Sequence, residues 1–273
     1  MRTVSQAISV LLPTLYLLVV LYYGLIFFGR SKKWEIQSTG VLIILLIIHA
    51  TEILLRGLAI GSIPLSTKFD ALSFLALLIV IVYLIIESTV KNRGTGFFTL
   101  SLAFVIQSIS SVLYSWDLTQ SPLLSNPIYA IHVVFTILGY TAICISALYA
   151  FMYTMLNHNI RNHQLGNIYD KLPSLQLLEK MSIRAIQIGL FALGLGIFLG
   201  HLRAGAILGN YWPLDAKVFF SDLIWFGYAL GYIIAQFRKW RGRWMAYLSM
   251  TGFAILVLAN TTILFIENTF HQF

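Results

Sequence analysis

Eight apolar runs dominate the 273-residue chain: roughly Ile8–Phe28, Gly40–Ile60, Phe69–Ser88, Phe97–Tyr114, Pro127–Leu156, Ile183–Ala204, Val218–Phe237 and Met245–Ile266. A helix needs about 20 mostly apolar residues to cross the hydrocarbon core of a bilayer, and most of these runs reach that length. Hydrocarbon offers no partner for a backbone N–H or C=O, so only helices and closed barrels can span it. A barrel needs short segments of alternating hydrophobicity, whereas these runs are continuous. The pattern therefore predicts an all-α, polytopic membrane protein with about eight transmembrane helices, forming a single domain over residues 1–273. Composition agrees: 59% of residues are hydrophobic and 10% charged, more apolar surface than a soluble chain of this length can hide. The first run follows Arg2 as a signal peptide would. It is long enough to span, and Arg30, Lys32 and Lys33 behind it read as a stop-transfer flank, so it is expected to be a retained helix.

Charge sets the orientation. One series of loops carries Arg30, Lys32 and Lys33; Lys91 and Arg93; Arg161, Lys171, Lys180 and Arg184; and Arg238, Lys239, Arg241 and Arg243. The opposite series holds Arg2, Lys68 and Lys217, with Arg56 and Arg203 near span ends. The positive-inside rule makes the first series cytoplasmic and both termini external, in a multi-pass protein of the plasma (inner) membrane surrounded by lipid. The net charge of +8 is thus a topology signal, and no nucleic-acid partner is expected. Cys144 is the lone cysteine, which excludes an internal disulfide, a Cys-x-x-Cys redox pair, a thiolate cluster and covalent haem attachment within this chain. No Ser-His-Asp set, phosphate loop, HExxH or paired catalytic carboxylates stand at diagnostic spacing.

What remains is histidine. His49, His132, His201 and His271 lie in or beside apolar runs, where an ionisable residue is costly and suggests function. Histidine is also a common axial ligand of haem iron. His132, near the external start of the fifth run, and His271, just past the eighth, are expected at one depth. Two such imidazoles suit the opposite faces of a porphyrin, with Arg203, Lys68 and Lys217 available to its propionates and Trp116, Tyr211 and Trp212 at the mouth. An interfacial histidine reaching toward water explains the same pattern without a ligand.

His49, Glu52 and Arg56 share one helix face. They read as a ligand with its carboxylate neighbour, as an acid and base neutralising each other beside a packed histidine, or as a proton relay. His201 follows Gly194, Gly196 and Gly200, a face that admits either a helix backbone or a flat ligand. His201 turned toward His49 would make a second, deeper site. Leu172-Pro173-Ser174-Leu175 with Leu178 and Glu179 predicts a short helix along the cytoplasmic surface, with Asp170 as its cap.

Several stretches are similar to one family. Leu172-Pro173-Ser174-Leu175, Leu178-Glu179, Arg184-Ala185-Ile186, Gly189, Leu193-Gly194 and Gly196-Ile197 resemble the sixth-span signature of the cytochrome c assembly family, the haem-handling proteins of CcsA, CcmC and HemX type. Gly209, Tyr211, Trp212, Asp215 and Lys217 resemble its tryptophan-rich external motif. His132-Val133 with Gly139-Tyr140 resembles its first external haem ligand, and His271 its second. The likeness runs from about the second span to the C-terminus.

The resemblance implies haem b bound by His132 and His271, a lid of Trp212, Tyr211 and Asp215, a propionate contact at Arg203, and His49 and His201 as further cofactor-binding candidates. It also implies haem held or exported at the external face for cytochrome c biogenesis, beside a maturation partner or apocytochrome c. Pro213 and Leu214 interrupt the tryptophan-rich motif. The seventh-span histidine of synthetase members has no counterpart near Ile233. The segment Arg56-Gly57, Pro64-Leu65 and Asp70-Ala71 looks more like the HemX-type branch, linked to tetrapyrrole synthesis. The alternatives are therefore a HemX-type regulator of a cytoplasmic tetrapyrrole-synthesis enzyme, and a proton-coupled transporter using Glu52, Arg56 and Glu87.

Overall fold

A computed structural model describes residues 2–29, 33–65, 67–114, 127–164, 166–213 and 215–263. Among them the helices are α1 (Arg2–Phe28), α2 (Lys33–Ile60), α3 (Lys68–Val90), α4 (Gly96–Val112), α5 (Pro127–Arg161), α6 (Asn167–Lys171), α7 (Leu175–Leu208), α8 (Ala216–Phe237) and α9 (Arg243–Ile263). Six of them are long and apolar enough to cross a bilayer, and α4 and α9 supply shorter apolar helices. The chain is an all-α, multi-pass membrane protein.

Helices α5 and α7 outrun the apolar segments that announce them, reaching 35 and 34 residues. At about 1.5 Å per residue each is roughly 50 Å long and projects beyond the hydrocarbon. The apolar criterion stops at the first polar turn, but the hydrogen-bond ladder does not. The short surface helix expected over Leu172–Glu179 is corrected for a local reason. Pro173 favours an extended residue before it, and Leu172 is extended at φ −75°, ψ 148°. Ser174 then caps α7, its side chain accepting from the Leu177 N–H. Asp170 lies inside α6 and caps nothing in α7.

The helices gather into two compact units. The first holds residues 1–125 and 159–173. Its four long helices run up and down in sequence, α1 against α2 and α4, and α3 against α2 and α4. Leu12, Tyr16, Val19 and Tyr23 of α1 meet Leu42 and Leu45, Ala76, Ile79, Val80 and Tyr83, and Leu100 and Ala103 in its core. Thr67 and Asp70 form a reciprocal capping box at the start of α3. The returning segment 159–173 adds α6, which packs on α1. Lys171 Nζ lies 3.7 Å from Glu35 Oε1, and Asn92 Nδ2 donates to the Lys171 carbonyl at 3.3 Å.

The second unit holds residues 126–158 and 174–273. Here α7 is the spine. A methyl added at Gly139 of α5 would lie 2.7 Å from the Leu193 nitrogen, so the two backbones approach as closely as glycine allows. Ser146, Ser182 and Ser249 link α5, α7 and α9, with Ser146 Oγ 2.6 Å from Ser249 Oγ. Lipid tails are as apolar as leucine, so such hydrogen bonds and close contacts, rather than water exclusion, hold the helices together.

Candidate functional site

His132 sits five residues into α5, at the end of the second unit assigned by charge to the external side. It is half-buried, and its Nδ1 lies 2.6 Å from the Gly196 carbonyl of α7. A carbonyl only accepts, so Nδ1 carries the proton and Nε2 the lone pair. Metal-binding histidines are commonly oriented this way, one nitrogen anchored to the protein and the other aimed as a ligand. The ring packs against Gly200, where a methyl would come within 2.9 Å of Cε1. Gly196 makes similar room for Thr136, and Gly194 for Trp225, whose Nε1 donates to the Leu190 carbonyl. The glycines of α7 thus admit a helix backbone, an indole and an imidazole. This donor arrangement fits an axial haem ligand at His132. His271 and Trp116 fall outside the described residues.

The external loop is built onto the last turns of α7. Gly209 ends the helix in the left-handed region at φ +67°, the stop expected of glycine. The chain then folds back, placing the Tyr211 ring against Gly205, where any side chain would overlap it. Asn210 Oδ1 accepts from the Trp212 N–H at 3.0 Å. Tyr211 and Trp212 are exposed. Asp215 is buried at the start of α8 and accepts from the Val218 N–H at 3.2 Å, capping the helix. Arg203 is half-buried on α7, its Nε shielded and without a hydrogen-bond partner.

His201 has both ring nitrogens engaged. Nδ1 lies 2.8 Å from the Tyr211 carbonyl and Nε2 3.0 Å from Asp222 Oδ1, while the Trp212 ring stands 5.1 Å away. Asp222 escaped the sequence reasoning, although its signal was present: it is the sole acid in the apolar run Val218–Phe237.

The first unit contains the other titratable cluster. His49 is fully buried between Tyr16 and Ser73. Ser73 gives its proton to Gln107 Oε1, so it accepts from His49 Nε2–H, and Nδ1 accepts from the Tyr16 hydroxyl. The resulting chain runs Tyr16 to His49 to Ser73 to Gln107, one residue from each helix. Arg56 pairs with Asp70 of α3 and lies against the Phe69 and Tyr114 rings at 4.8 and 5.5 Å. Glu52 instead accepts from Ser5 and Ser9 of α1. Glu87 accepts from Tyr23, Ser38 and Thr39 near the cytoplasmic end, with Arg93 Nε 3.5 Å away.

Comparison with known proteins meets the same segments. A profile of the Cytochrome C assembly protein family matches residues 65–271. The cytochrome c biogenesis protein CcsA of Mesostigma viride is 25% identical over 268 residues, covering 89% of this chain and 88% of its own length. CcsA of Prochlorococcus marinus strain MIT 9301 is 25% identical over 90% of this chain and 86% of its own. Protein HemX of Brevibacillus brevis is 25% identical over 94% of each chain. With three quarters of its length under the family profile, the chain belongs to the cytochrome c assembly protein family.

Proposed function

We propose that the chain binds haem b at the external end of its second unit, with His132 and His271 as axial ligands, and holds or exports it for cytochrome c biogenesis in the plasma membrane. One observation carries the reading: His132 is anchored through Nδ1 to the Gly196 carbonyl, and in the neutral ring this puts the lone pair on Nε2. The glycine face beneath that ring keeps bulk away from it. Arg203, near the same end of α7 with its Nε shielded and without a hydrogen-bond partner, suits a propionate. Tyr211 and Trp212 form the aromatic cover, and Asp215 fixes the point where the loop enters α8. Bound haem would supply the iron porphyrin that an apocytochrome c receives through its own thiols. This chain has a single buried cysteine and acts as the haem-presenting partner of the apoprotein or a maturation protein.

The visible spectrum of the purified protein tests the reading. Low-spin α and β bands are expected on reduction, and His132→Ala or His271→Ala should weaken them. A full-strength spectrum in both variants would refute it. The HemX match, spanning nearly the whole of both chains, supports a second reading as a regulator of a cytoplasmic tetrapyrrole-synthesis enzyme. Deletion of the gene separates them: loss of covalent cytochromes c supports presentation, and an altered level of that enzyme supports regulation.

A further inference from the structure

We infer that His201 and Asp222 form a clip that fixes the aromatic loop Gly209–Pro213 to α7 and α8, making His201 a positioning residue for that loop and not an iron ligand. Calling the loop a haem cover rests on the proposed function; the clip itself does not.

A backbone carbonyl and a carboxylate both accept, and both ring nitrogens of His201 face one, at 2.8 and 3.0 Å. Making both bonds requires a proton on each nitrogen, which leaves the imidazole no lone pair for a metal. A singly protonated ring could keep only one of the two bonds. The ring is therefore committed to joining two elements: the carbonyl of Tyr211 belongs to the loop, and Asp222 belongs to α8.

The pair also explains Asp222. A carboxylate in an otherwise apolar span is unfavourable unless it meets a cation or donors. His201 stands opposite, and both side chains are largely shielded, at 13% and 19% exposure. A charge-assisted hydrogen bond in such surroundings is about twice as strong as a neutral one.

Two further contacts align with the clip. The Trp212 ring stands 5.1 Å from the imidazole, within the range at which an aromatic ring attracts a cation. One turn along, Gly205 makes room for the Tyr211 ring. The loop is thus held at a carbonyl, an indole and a phenol, and His201 supplies two of the three contacts. Through Asp222, His201 also ties the loop to α8.

The test uses the full-length protein in detergent with its six tryptophans fluorinated, the Trp212 resonance being assigned from Trp212→Phe. In His201→Ala and Asp222→Ala the Trp212 fluorine signal should move and narrow toward that of a freely rotating indole, because its ring loses the imidazole 5.1 Å away, while Trp225 holds. Asp222→Asn, nearly isosteric, keeps an acceptor oxygen without the charge and should move the signal part of the way. It decides the matter if an alanine variant fails to fold. A stationary Trp212 signal in the folded variants overturns the clip. Haem transfer to apomyoglobin is measured in parallel and should quicken on the order of tenfold in Asp222→Ala, the scale of one lost charge-assisted hydrogen bond. A moving Trp212 signal with unchanged haem release supports the clip and removes the cover role from the loop. Absence of haem binding by the parent protein defeats the proposed function, and the fluorine signal still decides the clip.

Discussion

The two units use four long helices each, yet place their polar groups in opposite ways. In the first unit the titratable side chains are buried and matched across helices: Arg56 with Asp70, Glu52 with Ser5 and Ser9, His49 with Tyr16 and Ser73, and Glu87 with Tyr23, Ser38 and Thr39. Among the described residues of the second unit, the fully buried side-chain pairs across helices are hydroxyls, Ser146 with Ser182 and Ser249, while His132 and His201 lie half-buried toward the external end. A buried ion pair specifies which helix faces meet, and removing either partner is severe; Arg56 depends on Asp70 in this way, since its Nη1 and Nη2 find no hydrogen bond among the described residues. An interhelical hydroxyl in a membrane contributes little by comparison. Ionisable residues in apolar spans therefore have two settings in this chain. Those of the first unit are enclosed and matched across helices, and the two histidines of the second are half-buried.

Three substitutions probe that contrast. Asp70→Ala leaves Arg56 buried without its counter-charge and should destabilise the protein by about 3–5 kcal/mol. Thermal unfolding in detergent would measure it, and Arg56→Met with Asp70→Leu should recover most of the loss. A double variant as weak as the single would show that the charges matter beyond their mutual pairing. A smaller effect is expected for His49→Leu, about 1–3 kcal/mol, because it strands the Tyr16 hydroxyl and perturbs Ser73. The reduced haem spectrum should survive this change, unlike that of His132→Ala. Loss of the haem bands in a folded His49→Leu protein would erase the division between the units. Ser146→Ala should be mildest, about 0.6 kcal/mol. A loss as large as that of Asp70→Ala would mean that the second unit also depends on a buried polar lock.

Much of this was legible in the sequence, because hydrocarbon imposes a simple length rule and the apolar runs follow it. Among the described residues, each run coincides with a helix, six long and two shorter. Their ends were less legible: α5 and α7 continue through polar turns that the apolar criterion excludes. Pairing was harder still. Four-residue spacing put Glu52 beside Arg56, but Arg56 pairs with Asp70, which the capping box of α3 holds ready, and Glu52 bonds across to α1. Helix periodicity says which residues share a face, not which neighbouring helix that face meets. The glycine face of α7 was visible, but not that His132 packs against Gly200. The partner of His201 was missed because Asp222 sits 21 residues away on another helix, and only its isolation among apolar neighbours signalled it.

The route of the chain through its two units bears on how the protein is made. The first unit keeps a late instalment: residues 159–173, the last turn of α5 with α6 and Lys171 of the ion pair to Glu35, come after the length of α5 that belongs to the second unit. A ribosome that has released α1 to α4 has therefore not delivered the whole of the first unit, and must thread α5 into the bilayer before the missing segment emerges. Cutting the gene after residue 125 would strand that segment with the wrong fragment. Two co-expressed halves should consequently reassemble better when the break lies beyond α4 and the first half also carries a separate copy of 159–173.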